Sequence, residues 1–187
     1  LPNNETVNTI TLVSENGIDG STDADVGTYV DNISVTPTST NDPTITGSAN
    51  FNQENYTFSY DTGDLTVNRR AAQIIASAQE KDYGDVHDLG DTAFTVVDRD
   101  GGALPNNETV NTVTLVSENG IDASTIADAG IYADNISVTP TSTNDPTITG
   151  SANFNQENYT FSYDTGNLTV NRRAITLTAN EQEKTYG

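Results

Sequence analysis

Two near-identical copies of one long stretch make up most of the sequence, and this repeat limits what the chain can fold into. Leu1 aligns with Leu104 and Gly84 aligns with Gly187 without a gap, so the copies are displaced by 104 − 1 = 103 residues. Solenoid units have roughly 20–50 residues, whereas a period of about 100 residues is typical of a tandem array of whole domains. The sequence therefore predicts a string of joined modules.

The repeat also places the module boundaries. It predicts one complete module at 71–173, an incomplete module at 1–70 before it, and the first strand of a following module at 174–187. No Gly, no Pro and no Ser cluster lies between Leu65 and Ile75, and such residues are what makes a linker flexible or extended. We therefore expect the last strand of one module to run almost directly into the first strand of the next.

Short alternating runs of apolar and polar residues predict an all-β fold. Hydrophobic residues make up 33% of the chain, but Thr, Val, Ile, Tyr and Phe are grouped into short runs separated by Asn, Asp, Gly and Ser. This is the pattern of strands and turns. Six or seven short strands in about 100 residues fit an immunoglobulin-like β-sandwich, so we predict tandem sandwiches of this kind.

The alternation also places individual strands. The first predicted strand of the complete module spans 72–80, with Ile74 and Ala76 on one face. Its counterpart in the following module turns Ile175 and Leu177 inward.

The complete module is predicted to close with a hairpin. Its strands are 159–163 and 168–172, and the four residues between them are ordinary turn formers. Tyr159, Phe161 and Tyr163 share one face of the first of these strands.

A short motif, Asp-x-Gly-x-Tyr, precedes or opens a predicted strand once in each copy. Its members are Asp25, Gly27 and Tyr29 in the first copy and Asp128, Gly130 and Tyr132 in the second. The motif resembles the tyrosine corner of immunoglobulin-like domains, in which the Tyr hydroxyl bonds to backbone a few residues upstream. A plain glycine turn before an ordinary strand tyrosine is the alternative.

Three motifs taken together resemble a known repeat family. Residues 80–85 read Glu-Lys-Asp-Tyr-Gly-Asp, residues 27–29 read Gly-Thr-Tyr, and residues 55–70 read NYTFSYDTGDLTVNRR. They are similar to the opening KTYGD segment, the central GTY strand and the closing segment of MBG-type (YGX) repeats. Such repeats resemble the stalks of very large bacterial surface adhesins, so the resemblance implies an extracellular extender module at the bacterial cell surface.

The resemblance adds an alternative to the predicted fold and has one departure. It allows a β-grasp-like fold beside the sandwich. The sequence departs from the family pattern at 140–158, a polar, Thr-rich loop that is longer than usual.

The charge of the chain excludes several classes of partner. With 27 acidic and 7 basic residues, the formal net charge is −20, which argues against nucleic-acid binding and against adsorption to anionic lipid. No apolar run approaches the ~20 residues of a membrane helix, and no signal peptide is present. We expect the sequence to be part of a longer protein, to exist as a monomeric rod, and to contact neighbouring modules of the same chain.

Candidate catalytic chemistry is sparse. His87 is the single histidine, and its neighbours Asp85, Val86 and Asp88 indicate a solvated loop. A catalytic triad or a histidine-based zinc site would need further partners that the sequence does not offer. We predict that the protein is not an enzyme and binds no cofactor.

Calcium is the one metal that the composition allows, because its ligands are hard oxygen atoms. The densest acidic positions are Asp82, Asp85, Asp88, Asp98 and Asp100. Since Asp82 becomes Thr185 in the other copy, a site essential to every module is not expected. We favour a solvated, repulsive acidic surface over a calcium site.

Four of the seven basic residues lie at the ends of the copies: Arg69, Arg70, Arg172 and Arg173. They could bridge to acidic side chains of an adjoining module or protect an edge strand from aggregation. Together, the repeat, the short junction and the family resemblance predict a structural stalk that projects a distal binding domain. A module that itself binds glycan, ice or a host surface is the alternative.

Overall fold

A computed structural model describes residues 1–35, 45–139 and 148–187 of the chain. Within these residues the secondary structure consists of β-strands and short 3-10 turns, which confirms the predicted all-β class. The chain divides into two compact units, Leu1–Arg70 (unit 1) and Ala71–Gly187 (unit 2).

Unit 1 contains short strands that enclose almost no core. They are β1 (Val7–Thr9), β2 (Leu12–Ser14), β3 (Gly27–Val35), β4 (Thr46–Gly47) and β5 (Gly63–Val67). β3 pairs antiparallel with β2 and with β5, and β1 pairs with β4. Among the described apolar side chains of this unit, Ile45 alone is buried.

Unit 2 contains the remaining strands of the described ranges. They are β6 (Arg70–Ala76), β7 (Gln79–Asp82), β8 (Phe94–Asp98), β9 (Val110–Thr112), β10 (Leu115–Ser117), β11 (Gly130–Val138), β12 (Thr149–Gly150), β13 (Tyr159–Asp164) and β14 (Gly166–Asn171). One sheet has the order β13-β6-β8 and another the order β10-β11-β14-β7, while β9 and β12 form a small ribbon.

The two larger sheets of unit 2 bury a common core. Ile74 comes from the first sheet, and Ile136 and Leu168 come from the second, and all three are fully buried in one cluster. Ile74 and Ala76 are both buried, as the alternation predicted. The sandwich therefore forms because each sheet buries one apolar face against the other.

The predicted first strand, 72–80, is in fact two strands in two sheets. β6 ends at Ala76 and pairs with β8, whereas β7 begins at Gln79 and pairs with β14. Because the two sheets face each other across the core, the chain must leave one ladder before it can join the other. Alternation marks the buried face of a segment but not the point at which the segment changes sheet.

The predicted closing hairpin is also wrong in one respect. Both strands exist, but β13 belongs to the β6 sheet and β14 to the β11 sheet, with Thr165 between them. The predicted face is present, since the Tyr159, Phe161 and Tyr163 rings form a contiguous row with centroids 5.5 and 6.5 Å apart. The local pattern was therefore right about the strands and wrong about their partners.

β7 and β14 form a parallel pair, in which Leu168 lies opposite Gln79 and Val170 opposite Lys81. In the immunoglobulin arrangement the first strand lies at the edge of the ABED sheet, whereas β6 is central in its sheet here. The all-β class is established, and the immunoglobulin-like and β-grasp-like topologies remain predictions.

Residues 174–187 form no strand, so the strand predicted there is absent. Every residue of this segment is exposed, and Ile175 and Leu177, predicted to point inward, expose 78% and 89% of their surface. A single strand cannot satisfy its backbone N–H and C=O groups or bury its apolar face without a neighbouring ladder. The loop at 140–158 lies partly outside the described residues, from 140 to 147.

Candidate functional site

The contacts that hold β7 in unit 2 centre on Lys81, a buried cation. Its side chain is 6% exposed, and its ammonium donates hydrogen bonds to the backbone carbonyl groups of Ile121, Asp122 and Ser124, at 2.7, 2.9 and 2.6 Å. An ammonium has three donors, and the three carbonyl groups use all of them. Lys81 therefore fastens β7 to a loop 40 residues further along the chain.

This role of Lys81 was not predicted, because a lysine beside acidic residues in the sequence is typical of a solvated charge. One signal could have pointed to it. The chain has only two lysines, and Lys81 and Lys184 occupy equivalent positions of the repeat. A residue type that is rare in the chain and recurs at equivalent positions of the repeat is a candidate for a specific contact.

The end of β14 is fastened to the residues after β7. The Tyr83 N–H donates to the Asn171 carbonyl at 2.9 Å, and the Arg173 guanidinium pairs with the Asp85 carboxylate. Sequence patterns suggested that Arg173 bridges to an adjoining module. Its partner Asp85 instead belongs to the same unit, unit 2. Their side chains are about half exposed, and such pairs contribute roughly 0–1 kcal/mol.

The other junction arginines differ in their surroundings. Arg69 and Arg172 are exposed, and Arg70 is half-buried at the start of β6. A bridging role for these three remains a prediction.

Gly166, the first residue of β14, allows a close approach of two backbone segments. A Cβ atom at this position would lie 2.6 Å from the Ser77 carbonyl oxygen and 2.7 Å from that of Ala76. No side chain fits in that space, so glycine is required where the chain passes from β6 towards β7.

The loop that contains His87 is held by hydrogen bonds and is not freely solvated, although its neighbours in the sequence predicted a solvated loop. Its Nε2 atom is 2.7 Å from the Gln79 side-chain oxygen, and its backbone N–H donates to the Asp122 carbonyl at 2.9 Å. The Gln79 amide in turn donates to the Leu89 carbonyl at 3.2 Å. The histidine thereby connects the loop after β7 to the loop that holds Lys81, which is a structural arrangement.

Both Asp-x-Gly-x-Tyr motifs make the hydrogen bond that a tyrosine corner requires. The Tyr29 hydroxyl donates to the Asp25 carbonyl at 2.8 Å, and the Tyr132 hydroxyl donates to the Asp128 carbonyl at 2.9 Å. Both rings are half-buried. Gly27 has a φ of 159° and both Gly27 and Gly130 begin their strands, so the bond spans the entry into β3 and β11.

A buried carboxylate bonded to a tyrosine occurs in both units and was also missed. The Tyr159 hydroxyl donates to Glu108 at 2.9 Å, and the Tyr56 hydroxyl donates to Glu5 at 2.6 Å. Glu5 and Glu108 are each 8% exposed. The hydrogen bond to Glu5, together with desolvation and the carboxylate charge, raises the pKa of Tyr56 above its ordinary value. Carboxylates 51 residues away from their partners give no local sequence signal.

The predicted calcium positions do not converge. In the described parts of the chain, no group of three or more His, Asp or Glu side chains is placed to hold a metal ion. Asp85 pairs with Arg173, Asp100 lies 3.5 Å from Arg99, and the Asp88 carboxylate accepts the Gly90 N–H at 3.0 Å. Asp98 is buried and Asp82 is exposed, so the five side chains do not share one environment.

Unit 1 carries the same residues at the equivalent positions without the strands that cover them in unit 2. β5, the counterpart of β14, lies at the edge of its sheet among the described residues. A Cβ atom on Gly63, the counterpart of Gly166, would meet only the Ile33 side chain, at 3.9 Å.

No helix in the described ranges has the length and hydropathy to cross a membrane. Comparisons found no family model that matches the sequence, and no match among curated proteins or solved structures.

Proposed function

We propose that this chain is a structural extender, a stalk segment of a bacterial cell-surface adhesin that projects a distal binding domain from the cell. The observation that carries the proposal is the junction between the units. β5 ends at Val67 and β6 begins at Arg70, so Asn68 and Arg69 are the residues between the last strand of one unit and the first strand of the next.

Two connecting residues leave few backbone torsions to absorb bending. Each residue contributes two soft dihedral angles, φ and ψ, and neither Asn68 nor Arg69 is a glycine that would widen their range. A flexible linker of the Gly/Ser type would instead behave as a random coil. A restricted joint between repeated units is what a stalk needs in order to keep its length.

The charges and contacts of unit 2 support a structural role over catalysis. Three of its buried polar side chains, Lys81, Glu108 and Asn135, are engaged in internal hydrogen bonds. These bonds hold strands and loops in place and leave none of the three groups poised for a reaction. We propose that the module acts by its shape and its connections to neighbouring modules, outside the cell.

The test is small-angle X-ray scattering on two-, four- and six-module arrays built from residues 71–173. A stalk requires the maximum dimension to grow linearly with the number of modules. Inserting Gly-Gly-Ser between Asn171 and Arg172 is the matched variant, and it should convert linear growth towards a square-root dependence. Compact particles, or identical scattering from both arrays, would contradict the stalk function.

A further inference from the structure

We propose that β6 determines which first strand unit 2 accepts, and that it excludes the other segment of the repeat that aligns with it. We call residues 71–84 and 174–187 the two first segments, and we call residues 85–173 the body of unit 2. The side chains at positions 72 and 73 make the distinction, and β7 does not contribute to it. The inference rests on the repeat and is independent of the stalk function.

The two first segments align without a gap, and most of their differences fall in one half. They differ at every position from 72 to 75, all of which lie in β6. From 79 to 84, a range that includes β7, they differ only at Asp82, where the other segment has Thr185. One half of the first segment is therefore constant, and the other half is variable.

The constant half makes contacts that either first segment can make. Lys81 donates its three hydrogen bonds to carbonyl groups of the body, and the Gln79 side chain contacts His87. The Tyr83 N–H donates to the carbonyl group at the end of β14, at 2.9 Å. The other segment has the same residue types at these positions, Gln182, Lys184 and Tyr186. These contacts therefore hold a first segment in place without identifying it.

The variable half meets a closed site at its first buried position. Ala72 is 5% exposed and lies in one apolar cluster with Leu104 and Tyr159, which are 6% and 1% exposed. The other first segment has Ile175 here, whose side chain is larger by a methyl and an ethyl group. A close-packed core has no room for such an addition, and overpacking lowers the folding equilibrium constant by roughly 5- to 150-fold.

The next position adds a polar distinction. The Gln73 amide donates to the Asp164 carboxylate at 2.8 Å, which joins β6 to β13. The other segment has Thr176, a residue that carries no amide and whose hydroxyl lies on the Cβ atom. The exchange would therefore remove this hydrogen bond. Because Asp164 is exposed to water, we expect position 73 to contribute less than position 72.

Position 74 is buried but does not discriminate. Ile74 is fully buried in the core between the two larger sheets. Its counterpart Leu177 has nearly the same volume, and swaps that conserve volume are the ones a core tolerates best. The change in side-chain volume, and not burial alone, therefore decides which positions distinguish the two first segments.

A tandem array needs such a distinction because its modules are nearly identical. More than one first segment lies within reach of a body in an array, and the covalent connection raises their effective concentration. Exchange of equivalent elements and misassembly of neighbouring units are characteristic failures of repeat proteins. A first segment with the wrong volume at position 72 can make the constant β7 contacts but cannot complete the core.

The experiment transfers the variable half of one first segment to the other within the full 187-residue chain. The transfer variant reproduces residues 175–178 in β6 by combining Ala72→Ile, Gln73→Thr, Ile74→Leu and Ile75→Thr. Urea unfolding is followed by the backbone amide NMR signals of Leu168 and Val170, which are buried in unit 2. The folding equilibrium constant of unit 2 should fall by at least about 5-fold. An unchanged constant would overturn the proposal.

The matched control transfers differences that lie outside β6. Ala78 and Asp82 are exposed, so Ala78→Glu combined with Asp82→Thr should leave the folding equilibrium constant within about 2-fold of the wild-type value. A loss as large as that of the transfer variant would show that β6 does not carry the distinction, and the proposal would be wrong.

Single substitutions separate side-chain volume from the other changes, and they carry the test if the transfer variant does not fold. Ala72→Ile should account for most of the loss and Ile74→Leu for a small share. Leu104→Ala vacates space in the same cluster, so Ala72→Ile should lower the constant less in that background than in the wild type. An equal effect of Ala72→Ile in both backgrounds, or an equally large loss from Ile74→Leu, would contradict selection by volume.

Discussion

Residues 56–61 and 159–164 have the same sequence, Tyr-Thr-Phe-Ser-Tyr-Asp, and adopt different structures. In unit 2 the segment is strand β13, paired in the sheet that contains β6. In unit 1 it forms no strand. Both copies keep their row of aromatic rings, with Phe51 and Tyr56 stacked at 5.7 Å and Phe154 and Tyr159 stacked at 5.8 Å.

The difference teaches that strand formation here is decided by the neighbour and not by the segment. The propensity of Tyr, Thr and Phe for strands is the same in both copies, but a strand needs a ladder partner for its backbone groups. Unit 1 has no residues equivalent to 71–103 within this sequence. In unit 1 the rings of Phe51, Tyr56 and Phe58 are half-buried and that of Tyr60 is exposed.

The largest expected effect comes from supplying unit 1 with the missing segment. A second copy of residues 71–103 placed directly before Leu1 should turn residues 56–61 into a strand and bury Ile10 and Leu12. Full burial stabilises by about 1.5–3 kcal/mol for each such side chain. Amide hydrogen exchange is the measurement, and residues 56–61 should become as protected as 159–164. Unchanged exchange would mean that the two copies differ for another reason.

Replacing each lysine with methionine should affect the stability of the chain differently at the two positions. Lys81→Met keeps the apolar stem but leaves three carbonyl groups without their donor, at a cost of about 1.5–3 kcal/mol. Lys184→Met changes an exposed residue, so it should alter stability by less than about 0.5 kcal/mol in dilute solution. Urea unfolding of both variants gives the comparison. Equal midpoints would show that the ammonium contacts contribute nothing.

Replacing Gly166 or Gly63 with alanine should give a smaller difference in stability, and the larger loss should again be in unit 2. Gly166→Ala forces the Ala76 and Ser77 backbone apart and should destabilise unit 2 by about 1–3 kcal/mol. Gly63→Ala has room for its methyl group and should leave the unfolding of the monomeric chain almost unchanged. Thermal unfolding monitored by circular dichroism at low concentration distinguishes the two. A loss of stability in both would contradict the lack of close contacts around a Cβ atom on Gly63.

The smallest effect is expected at the tyrosines of the strand entries. Tyr132→Phe removes one hydroxyl bond to the Asp128 carbonyl in a half-buried position, so unit 2 should lose about 0.5–1.5 kcal/mol. Tyr29→Phe removes the same bond in unit 1 and should leave the unfolding of unit 2 unchanged. Urea melts followed by a probe in unit 2 provide the test. If Tyr132→Phe melts like the wild type, the bond does not fasten the entry of β11.

Sequence patterns predicted correctly those features that depend on residues close to one another in the chain. Alternation identified the buried face of Ile74 and Ala76, and the Asp-x-Gly-x-Tyr spacing identified the hydroxyl bonds of Tyr29 and Tyr132. These features depend on residues within a few positions of one another.

What could not be predicted depends on distant partners. The split of 72–80 into β6 and β7 follows from which sheets the two halves meet, and the environment of Lys81 is set by carbonyl groups at 121–124. The failure of residues 174–187 to form a strand has the same origin. A sequence pattern describes one side of a pairing, and the other side lies elsewhere in the fold.

The parallel pairing of β7 with β14 determines how unit 2 responds to tension. Its first strands lead to the amino end of the unit and its last strand leads to the carboxyl end, so a pull on both ends drags β7 and β14 in opposite directions along their length. The four paired positions from Leu168 to Asn171 then resist sliding together. An antiparallel terminal pair would instead peel apart one bond at a time. A pull on the two ends of unit 2 would therefore load the β7–β14 pair in shear.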